Sequence, residues 1–384
     1  MSTPTPRPRR RTRLVTAGFI YLAVLLAVGL AAGGRPNNLL VWIFSFLLGG
    51  LLVSGLVSGL AMMALRVTRI EPRTGSVGQP LVIRYEIENR SRFIPAFDIR
   101  VEELGDGAGR GAWEQVCHAW VMHVGPSERA QAEAVLRPLQ RGVLRLAGFA
   151  ASTTFPFGIM RKRVEFAQAG EVLIQPEVRE LKADLIARIT AGGIGGHRLS
   201  RDPGGADDFF GVREYRPGDS VRTIAWKRLA GTGELATIER SRSVPPRLRI
   251  LLDLRVPTSE IRVGEGEAAR ELEERAIVLA ASFAQLAERL GYEYAASVVG
   301  FEFPPIALRR GYFHRERIMS MLAAIDLERP RSRGSGLASS DERATVLVIH
   351  PDRVDLAVAP DAAWHFTARQ FESLLAGAPA GVTP

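Results

Sequence analysis

Two long runs of apolar residues open the sequence and predict a helical hairpin. The first run, Leu14 to Ala32, has 19 residues without a charge, and the second, Leu39 to Leu65, has 27. At a rise of about 1.5 Å per residue these helices would be about 28 and 40 Å long, enough to cross a hydrocarbon core of about 30 Å. The connecting residues, GGRPNN, are typical of a turn. The pattern therefore predicts two transmembrane helices in a lipid bilayer.

After the hairpin the hydrophobic pattern changes twice. Short alternating runs, such as Leu81, Ile83 and Tyr85, predict the strands of a β-sandwich. From Leu248 onward, strand patterns alternate with helical stripes, which predicts an α/β domain with a parallel sheet and helices on both faces. We therefore expect five segments: a basic cytoplasmic tail (1–13), a transmembrane hairpin (14–65), a β-sandwich-like domain (66–178), a Gly-rich loop followed by a segment dense in charged and aromatic residues (179–247), and the α/β domain (248–384).

The net charge of +9 is concentrated at the N-terminus. Residues 1–73 hold nine Arg and one acid, whereas the other 311 residues hold 41 basic and 40 acidic groups. A near-neutral remainder does not offer the basic surface that nucleic acid requires, so we expect no nucleic-acid binding. Arginines flank both ends of the hairpin, and the short loop holds Arg35 alone, which places both termini in the cytoplasm. A cleaved signal peptide is the alternative for the first run, and it leaves the C-terminal part on the same side.

Small residues recur at every fourth position of the second apolar run. Gly55 and Gly59 form one such pair, and Gly50, Ser54 and Ser58 form a second series. Small residues at this spacing let helices approach closely in lipid. The stripe predicts packing against the first helix of the same hairpin, or, as the alternative, a homo-oligomer formed through Gly55 and Gly59.

Candidate catalytic and cofactor chemistry is sparse in this sequence. We interpret Cys117, beside His118 on a predicted strand, as a buried small hydrophobe, because adjacent strand residues point to opposite faces. The Gly-rich stretch Ala191 to Gly205 lacks the Lys and the helix of a phosphate-binding loop, so we interpret it as an entry loop. None of the six His has ligand-like spacing. We therefore expect no catalytic residues and no cofactor, while a hydrolase or other enzyme acting at the cell envelope stays the alternative.

The densest group of charged and aromatic residues, the signature segment, lies between Asp207 and Arg240. Its Pro-Gly-Asp sequence is typical of a turn. Near-balanced charge interleaved with aromatic side chains suits a fixed ion-pair network or a docking face for another protein. The candidates for a partner contact or a structural role are Arg213, Tyr215, Arg216, Pro217, Gly218, Asp219, Trp226, Lys227 and Gly233.

The signature segment resembles the domain-of-unknown-function family 58 (DUF58). Outside it, Arg141-Gly142, Pro156-Phe157-Gly158 and the N-terminal hairpin also resemble the family. Departures occur at Ser220 and Ala225, where the family leads us to expect acidic or polar residues. Within the segment the resemblance rests on Phe209, Gly211, Arg213, Tyr215, Pro217, Gly218, Asp219, Ile224, Trp226, Lys227, Gly233 and Leu235.

The resemblance implies a protein anchored in the bacterial inner membrane, whose C-terminal half is similar to a von Willebrand factor A domain. It also implies a non-enzymatic scaffold or adaptor, working with a MoxR-type AAA+ ATPase to assemble or activate other protein complexes. The metal site of that fold uses Asp-x-Ser-x-Ser, in which oxygen ligands hold a hard cation. This sequence has Asp253, Arg255 and Pro257 at those positions, so we expect a degenerate site without metal.

Overall fold

The computed structural model describes residues 9–34, 37–105, 111–192, 199–243, 246–263, 268–332, 344–355 and 364–376. The chain forms two compact units, residues 1–175 and 176–384. Two apolar helices near the N-terminus are followed by a sheet-rich region with several sheets.

The first unit contains both apolar helices and a series of mostly short strands. The helices are α1 (Thr16–Gly34) and α2 (Asn38–Ala64). The strands are β1 (Arg9–Leu14), β2 (Leu65–Ile70), β3 (Thr74–Ser76), β4 (Leu81–Asn89), β5 (Ala96–Leu104), β6 (Trp113–Cys117), β7 (Ala119–Val124), β8 (Arg129–Pro138), β9 (Gly142–Leu146), β10 (Gly148–Thr153), β11 (Met160–Phe166) and β12 (Gly170–Gln175).

Both helices are long and apolar enough to cross a membrane, and their bounds lie within two residues of the predicted ones. Asn37 caps the start of α2, where its side chain accepts a hydrogen bond from the Leu39 amide at 3.0 Å. Large apolar side chains on α2 are exposed, for example Trp42 at 76% and Phe46 at 84%. A helix in the core of a soluble domain would bury large apolar side chains of this kind.

The small residues of α2 face other parts of the same chain. A Cβ added at Gly50 would lie 2.9 Å from the Tyr21 hydroxyl of α1, which is the packing predicted for the stripe. Added Cβ atoms at Gly55 and Gly59 would instead lie 3.9 Å from Met160 Cε and 3.7 Å from Lys162 Nζ, both on β11. A homo-oligomer through these two glycines stays a prediction.

The strands of the first unit form three sheets around one hydrophobic core. Two are antiparallel, with the orders β1-β11-β10-β5-β7 and β2-β4-β8-β6, and the third has the order β3-β12-β9. The alternation predicted for β4 is confirmed, because Leu81, Ile83, Tyr85 and Ile87 are all buried. They share the core with residues of β5 and β10, such as Phe149, so the sheets pack through their apolar faces.

The basic tail predicted for residues 1–13 is corrected in part, because Arg9–Leu14 forms β1. This strand pairs antiparallel with β11, from Arg9 opposite Glu165 to Leu14 opposite Met160. It covers the edge that β11 would otherwise leave open, which explains why a sequence without alternating apolar residues becomes a strand. Residues 1–8 lie outside the described ones.

The interpretation of Cys117 as buried is wrong, because its side chain is exposed. Cys117 ends β6, an edge strand whose pairing with β8 shifts register between Gln115 and Cys117. An irregularity of this type changes which face the following side chains take. His118 and His123 are also exposed.

The second unit combines a β-hairpin with a mixed sheet and several helices. Its elements in chain order are α3 (Asp184–Gly192), β13 (Leu199–Glu214), α4 (Trp226–Thr232), β14 (Ala236–Ser243), β15 (Arg247–Asp253), α5 (Ala269–Arg289), β16 (Glu293–Val299), β17 (Ile306–Arg309), α6 (Tyr312–Ala323), β18 (Thr345–His350), β19 (Trp364–Thr367) and α7 (Phe371–Leu374). The loop predicted for residues 191–205 is corrected in part, because residues from Leu199 onward belong to β13. Residues 193–198 lie outside the described ones.

The mixed sheet has the strand order β17-β16-β15-β18-β19. Strand β15 lies at its centre and runs parallel to β16 and β18, while β17 is antiparallel to β16. Leu248, Ile250 and Leu252 point to one face, where they share a core with residues of α3, α5, α6 and α7. On the other face Leu251 belongs to a smaller buried cluster. The sequence predicts helices on both faces, whereas these four described helices all contribute to the core on one face.

Candidate functional site

The signature segment forms the end of the β13–β14 hairpin. The chain leaves β13 at Glu214, passes through a turn, and returns through a short 3-10 helix and α4 to β14. Two backbone hydrogen bonds close this excursion: the Tyr215 amide donates to the Leu235 carbonyl at 3.1 Å, and the Ala225 amide donates to Ala236 at 2.8 Å. The segment therefore has a defined conformation rather than that of an open loop.

Arg213 holds the turn together through a fork of hydrogen bonds. Its two Nη atoms donate to the two carboxylate oxygens of Asp219 at 2.8 and 2.7 Å, and its Nε donates to Glu239 at 2.7 Å. Asp219 also accepts bonds from the Arg216 amide at 2.9 Å and the Thr237 hydroxyl at 3.0 Å. The Arg213 guanidinium and these donors hold the pKa of Asp219 well below its usual range. A bidentate pair of this kind fixes geometry as well as charge.

The turn itself follows the predicted chemistry. Gly218 has a φ of +109°, in the left-handed region that a side chain disfavours, and Pro217 precedes it. At the other end of the excursion, Gly233 ends α4, and its amide donates to the Leu229 carbonyl at 3.0 Å.

The candidate residues divide into an internal and an exposed set. Arg213 and Asp219 are partly buried and bound to each other, which favours a structural role for this pair. Arg216, Trp226 and Lys227 are exposed. Exposed apolar side chains accompany them, with Val221 at 64%, Trp226 at 55% and Leu235 at 47%. The segment thus presents a Trp and basic residues on a backbone that the Arg213 fork has fixed.

The two departures from the family pattern lie outside the Arg213 network. The Ser220 hydroxyl accepts a bond from the Arg222 amide at 3.4 Å and caps the short 3-10 helix. Ala225 precedes α4 as a buried residue without a side-chain cap. The bidentate pair of Arg213 and Asp219 forms with Ser and Ala at these positions, so neither departure removes it.

A second group of polar residues, the sheet-edge cluster, consists of Asp253, Arg255, His350 and His365. Asp253 and His350 end the adjacent parallel strands β15 and β18, and His365 lies on β19. His350 Nδ1 is 3.2 Å from Asp253 Oδ2, and its Nε2 is 3.0 Å from His365 Nδ1. The two imidazole rings stack with centroids 5.3 Å apart. Because β16 lies on the other side of β15, this edge is the topological switch point, where open α/β sheets usually bind ligands.

Arg255 occupies the free side of the Asp253 carboxylate. Its backbone amide and Nε donate to Asp253 Oδ1 at 3.2 and 3.0 Å, and its Nη2 donates to Asp355 at 2.5 Å. Burial acts to raise the pKa of Asp253, but the bonds from His350 and Arg255 outweigh it, and the pKa lies below its usual range. Asp253 and Arg255 thus form an ion pair at this sheet edge. Within the described ranges no three His, Cys, Asp or Glu side chains are placed to hold a metal ion.

Sequence reasoning missed the histidine pair of this cluster. His350 and His365 are separated by 15 residues and show no ligand-like spacing. One signal could have indicated the first contact: Asp253 and His350 each follow a buried apolar strand, and the carboxyl ends of parallel strands meet at one sheet edge. Of the other histidines in the second unit, His314 is buried with its Nε2 2.7 Å from the Tyr294 carbonyl, and His197 lies outside the described residues.

Replacing Asp253 by Asn should destabilise the second unit by about 1–3 kcal/mol at neutral pH, because charge-assisted bonds to Arg255 and His350 are lost. The depressed pKa gives this effect a pH dependence. The carboxylate stabilises the fold at pH values above 3.8, its pKa in the unfolded chain. That contribution is lost as the pH falls through the lower pKa of the folded state. Hydrogen exchange of the β15 peptide in the full-length protein measures both effects.

The exposed Asp184→Asn variant is the matched control for this change, because it removes a surface carboxylate of α3. It should alter stability by less than about 0.5 kcal/mol. Equal exchange in Asp253→Asn and wild type at neutral pH would contradict a stabilising role for the carboxylate.

One match to a known family covers most of the signature segment and most of the sheet-edge cluster. Residues 211–353 match the model of the family described as "Protein of unknown function DUF58". This match confirms the resemblance drawn from the sequence for residues 211–353.

Matches to individual proteins occur among the solved structures but not among the curated proteins. None of the curated proteins matches the chain. A solved structure, the GH20 exo β-N-acetylglucosaminidase from Vibrio harveyi in complex with N-acetylglucosamine, aligns at 7% identity and a TM-score of 0.15. The alignment covers 74% of this chain and 57% of that chain, so this chain spans less than two thirds of its length. A TM-score this low does not indicate a common fold.

Proposed function

We propose that the protein is a non-enzymatic scaffold or adaptor, anchored in the bacterial inner membrane by α1 and α2 with both termini in the cytoplasm. The length of the two helices, their exposed apolar side chains and the flanking arginines support the anchor. We also assign the first unit to a β-sandwich-like fold and the second to a von Willebrand factor A-like fold. The layered antiparallel sheets support the first assignment, and the largely parallel sheet centred on β15 supports the second.

One surface of the second unit carries the adaptor proposal. We name it the signature surface, and it consists of the exposed residues Arg216, Val221, Trp226, Lys227 and Leu235. Trp and Arg supply much of the binding energy at protein interfaces, and large exposed apolar side chains mark such sites. The hydrogen bonds of Arg213 to Asp219 fix the backbone of the signature segment. A fixed segment loses less conformational entropy when it binds a partner. Exposure of Trp226 on this fixed segment is the observation on which the proposal depends.

The partner we propose is a MoxR-type AAA+ ATPase, as the family resemblance implies. Exposed apolar residues in the same segment as the basic Arg216 and Lys227 suit a partly apolar patch with acidic groups on the partner. In this arrangement the membrane anchor holds the ATPase at the bilayer, where both would act on other protein complexes.

The Trp226→Ala variant should weaken binding of the ATPase by about thirtyfold or more, as expected for a buried interface tryptophan worth about 2 kcal/mol. The measurement uses the full-length protein in lipid nanodiscs and the purified MoxR-type ATPase of the same organism, with affinity read by biolayer interferometry. Phe313→Ala is the matched control, since this aromatic on α6 is 88% exposed and lies outside the signature surface. Equal affinity for wild type and Trp226→Ala, or no binding by wild type, would contradict the proposal.

One observation favours the alternative function, a hydrolase or other enzyme at the cell envelope. Asp253 orients His350 in the manner of an acid and base pair. However, His350 Nε2, the atom that would accept a proton, is in contact with His365 Nδ1. Among the described hydrogen bonds of His350 and His365, none joins a Ser, Thr or Cys nucleophile. The sheet-edge cluster is therefore better explained as a structural element.

A further inference from the structure

Two pairs of arginines face each other across the strands β1 and β11. Arg11 lies opposite Arg163, and Arg13 lies opposite Arg161. The first pair has acidic neighbours, because Arg11 and Arg163 are 3.7 and 3.6 Å from Glu165 and Arg163 also binds Glu102.

The second pair differs in this respect. Among the described residues of the first unit, no acidic side chain forms an ion pair with Arg13 or Arg161, and both are exposed. Like charges directly opposite each other destabilise a strand pair. Anions from outside the chain would relieve the repulsion of this pair.

The second pair of arginines lies where the chain enters the first apolar helix. Strand β1 ends at Leu14, and α1 begins at Thr16. The Val15 amide between them donates to the Ile159 carbonyl at 3.1 Å, which ties the start of α1 to the residue before β11. Arg13 and Arg161 are therefore within two or three residues of the predicted bilayer boundary.

Contacts with α2 indicate how deep the β10–β11 turn would lie in the bilayer. Phe157, Met160 and Lys162 lie beside Gly50, Gly55 and Gly59 in turn. At the helical rise these glycines are about 18, 26 and 32 Å from Asn38 at the far end of α2. If a hydrocarbon core of about 30 Å begins near Asn38, Phe157 lies at a depth inside that core. The core then ends at a depth between those of Met160 and Lys162.

The side chains of this turn match that order of depth. Phe157 is 56% exposed and follows Pro156 at the tip of the turn, while Leu14 is 38% exposed at the end of β1. Apolar side chains at the tip and basic ones above it are the arrangement of a surface that dips into the acyl region and binds headgroups.

We infer that the β1–β11 end of the first unit is a lipid-binding surface, in which Arg13 and Arg161 take the headgroups of anionic phospholipids and Phe157 inserts below them. The inference rests on the proposed anchoring by α1 and α2 but goes beyond it, because it assigns lipid selectivity to the folded unit. The surface is continuous with the hairpin, and its charge is opposite to that of phosphatidylglycerol, so the occupant is the anionic leaflet itself.

Lipid selectivity of the full-length protein in reconstituted vesicles tests this inference. Spin-labelled phosphatidylcholine and spin-labelled phosphatidylglycerol are compared by the fraction that the protein immobilises. Wild type should prefer phosphatidylglycerol by about fivefold or more, and the preference should fall as salt is added. Arg13→Gln/Arg161→Gln should reduce it at least threefold, whereas Arg13→Lys/Arg161→Lys, which keeps the charge, should retain most of it.

The matched control is Arg84→Gln/Arg145→Gln, which removes two exposed arginines from β4 and β9 of the same unit. It should keep the wild-type preference. No preference in wild type, or an unchanged preference in Arg13→Gln/Arg161→Gln, would overturn the inference. An immobilised phosphatidylcholine fraction in every variant reports the embedded hairpin, and its absence would contradict the anchor itself.

Insertion of Phe157 is measured separately with a nitroxide on Phe157→Cys in a Cys117→Ser background. The label should be more accessible to oxygen and less accessible to a water-soluble nickel complex than the same label on Val143→Cys, an exposed position of β9. Equal accessibility at the two positions would overturn the insertion.

Discussion

Replacing Arg69 by Leu is expected to lower the free energy of unfolding of the first unit by about 3–5 kcal/mol. Arg69 Nη1 donates to Glu103 at 2.7 Å, and neither side chain has any exposed surface. Leu would fill much of the volume but would leave the Glu103 carboxylate buried without its cation. Removing one partner of a buried ion pair costs far more than the pair contributes, since the remaining charge keeps its desolvation penalty.

Further hydrogen bonds of the Arg69 guanidinium add to the expected loss of stability. The guanidinium also donates to Glu71 at 2.9 Å, to the Gln168 carbonyl at 2.5 Å and to the Leu146 carbonyl at 3.4 Å. The Tyr85 hydroxyl donates to the other oxygen of Glu103 at 2.5 Å. These bonds join β2 and β4 of one sheet to β5 of another, so the variant should loosen the contact between the sheets.

The loss should depend on pH in a defined direction. Burial raises the pKa of Glu103, and the Arg69 charge opposes that increase. Without Arg69 the pKa rises further, so the folded variant binds the Glu103 proton more tightly than the unfolded chain does. Stability of the variant therefore falls as the pH rises from the unfolded value, 4.5, through the folded value. The deficit relative to wild type should be larger at pH 8 than at pH 5.

Hydrogen exchange of the β4 and β5 peptides in the full-length protein measures this prediction. Arg84→Leu is the matched control, because Arg84 lies on the neighbouring strand β4 with its side chain 64% exposed, and it should change stability by less than about 0.5 kcal/mol. The double variant Arg69→Leu/Glu103→Leu should recover most of the loss, since it leaves no buried charge. A single variant as stable as the control would refute the argument.

Elements with a strong hydrophobic period are predictable from this sequence. The apolar runs place α1 and α2 within two residues of their observed bounds, because an uninterrupted apolar run specifies the whole length of each helix. The alternation from Leu81 to Ile87 identifies β4 and its buried face. In both cases one local pattern carries all the information that the element needs.

Elements set by their neighbours are not predictable in this way. Arg9–Leu14 has no apolar alternation and is a strand because β11 offers it an edge. Cys117 is exposed because the pairing of β6 with β8 shifts by one residue, which no local pattern records. These outcomes depend on tertiary pairing, so the sequence alone predicts a tail and a buried thiol.

In the candidate site, too, contacts between residues close in sequence are predictable, whereas contacts made by strand pairing are not. The turn at Pro217 and Gly218 follows from local chemistry, and Arg213 and Asp219 are close enough in sequence to be paired by inspection. Glu239 joins them only through the β13–β14 register. Asp253 and His350 are 97 residues apart and meet because two parallel strands end side by side.

Gly300→Ala is expected to destabilise the second unit by about 3 kcal/mol or more. Gly300 follows β16 with a φ of +103°, a conformation that a side chain strains. An added Cβ would also lie 2.4 Å from the Leu254 carbonyl oxygen and 2.9 Å from the Arg255 amide nitrogen. Both contacts are with backbone, so no side-chain rotation relieves them.

The close approach at Gly300 is part of the sheet edge that carries Asp253. The Leu254 amide donates to the Val299 carbonyl at 2.9 Å, which brings the two chains together just past the ends of β15 and β16. A Cβ at residue 300 must push Leu254 and Arg255 away. The variant should therefore lose protection in the β15 and β16 peptides and weaken the pairing of Arg255 with Asp253.

Gly231→Ala is the matched control for Gly300→Ala and should change stability in the opposite direction. Gly231 lies in α4 with no atom within 4 Å of an added Cβ, and Ala favours a helix over Gly by up to about 1 kcal/mol. Thermal unfolding of the two full-length variants in the same detergent compares them, with hydrogen exchange locating the change. If Gly300→Ala melts at the wild-type temperature with unchanged exchange in β15, the backbone at Leu254 does not restrict this position.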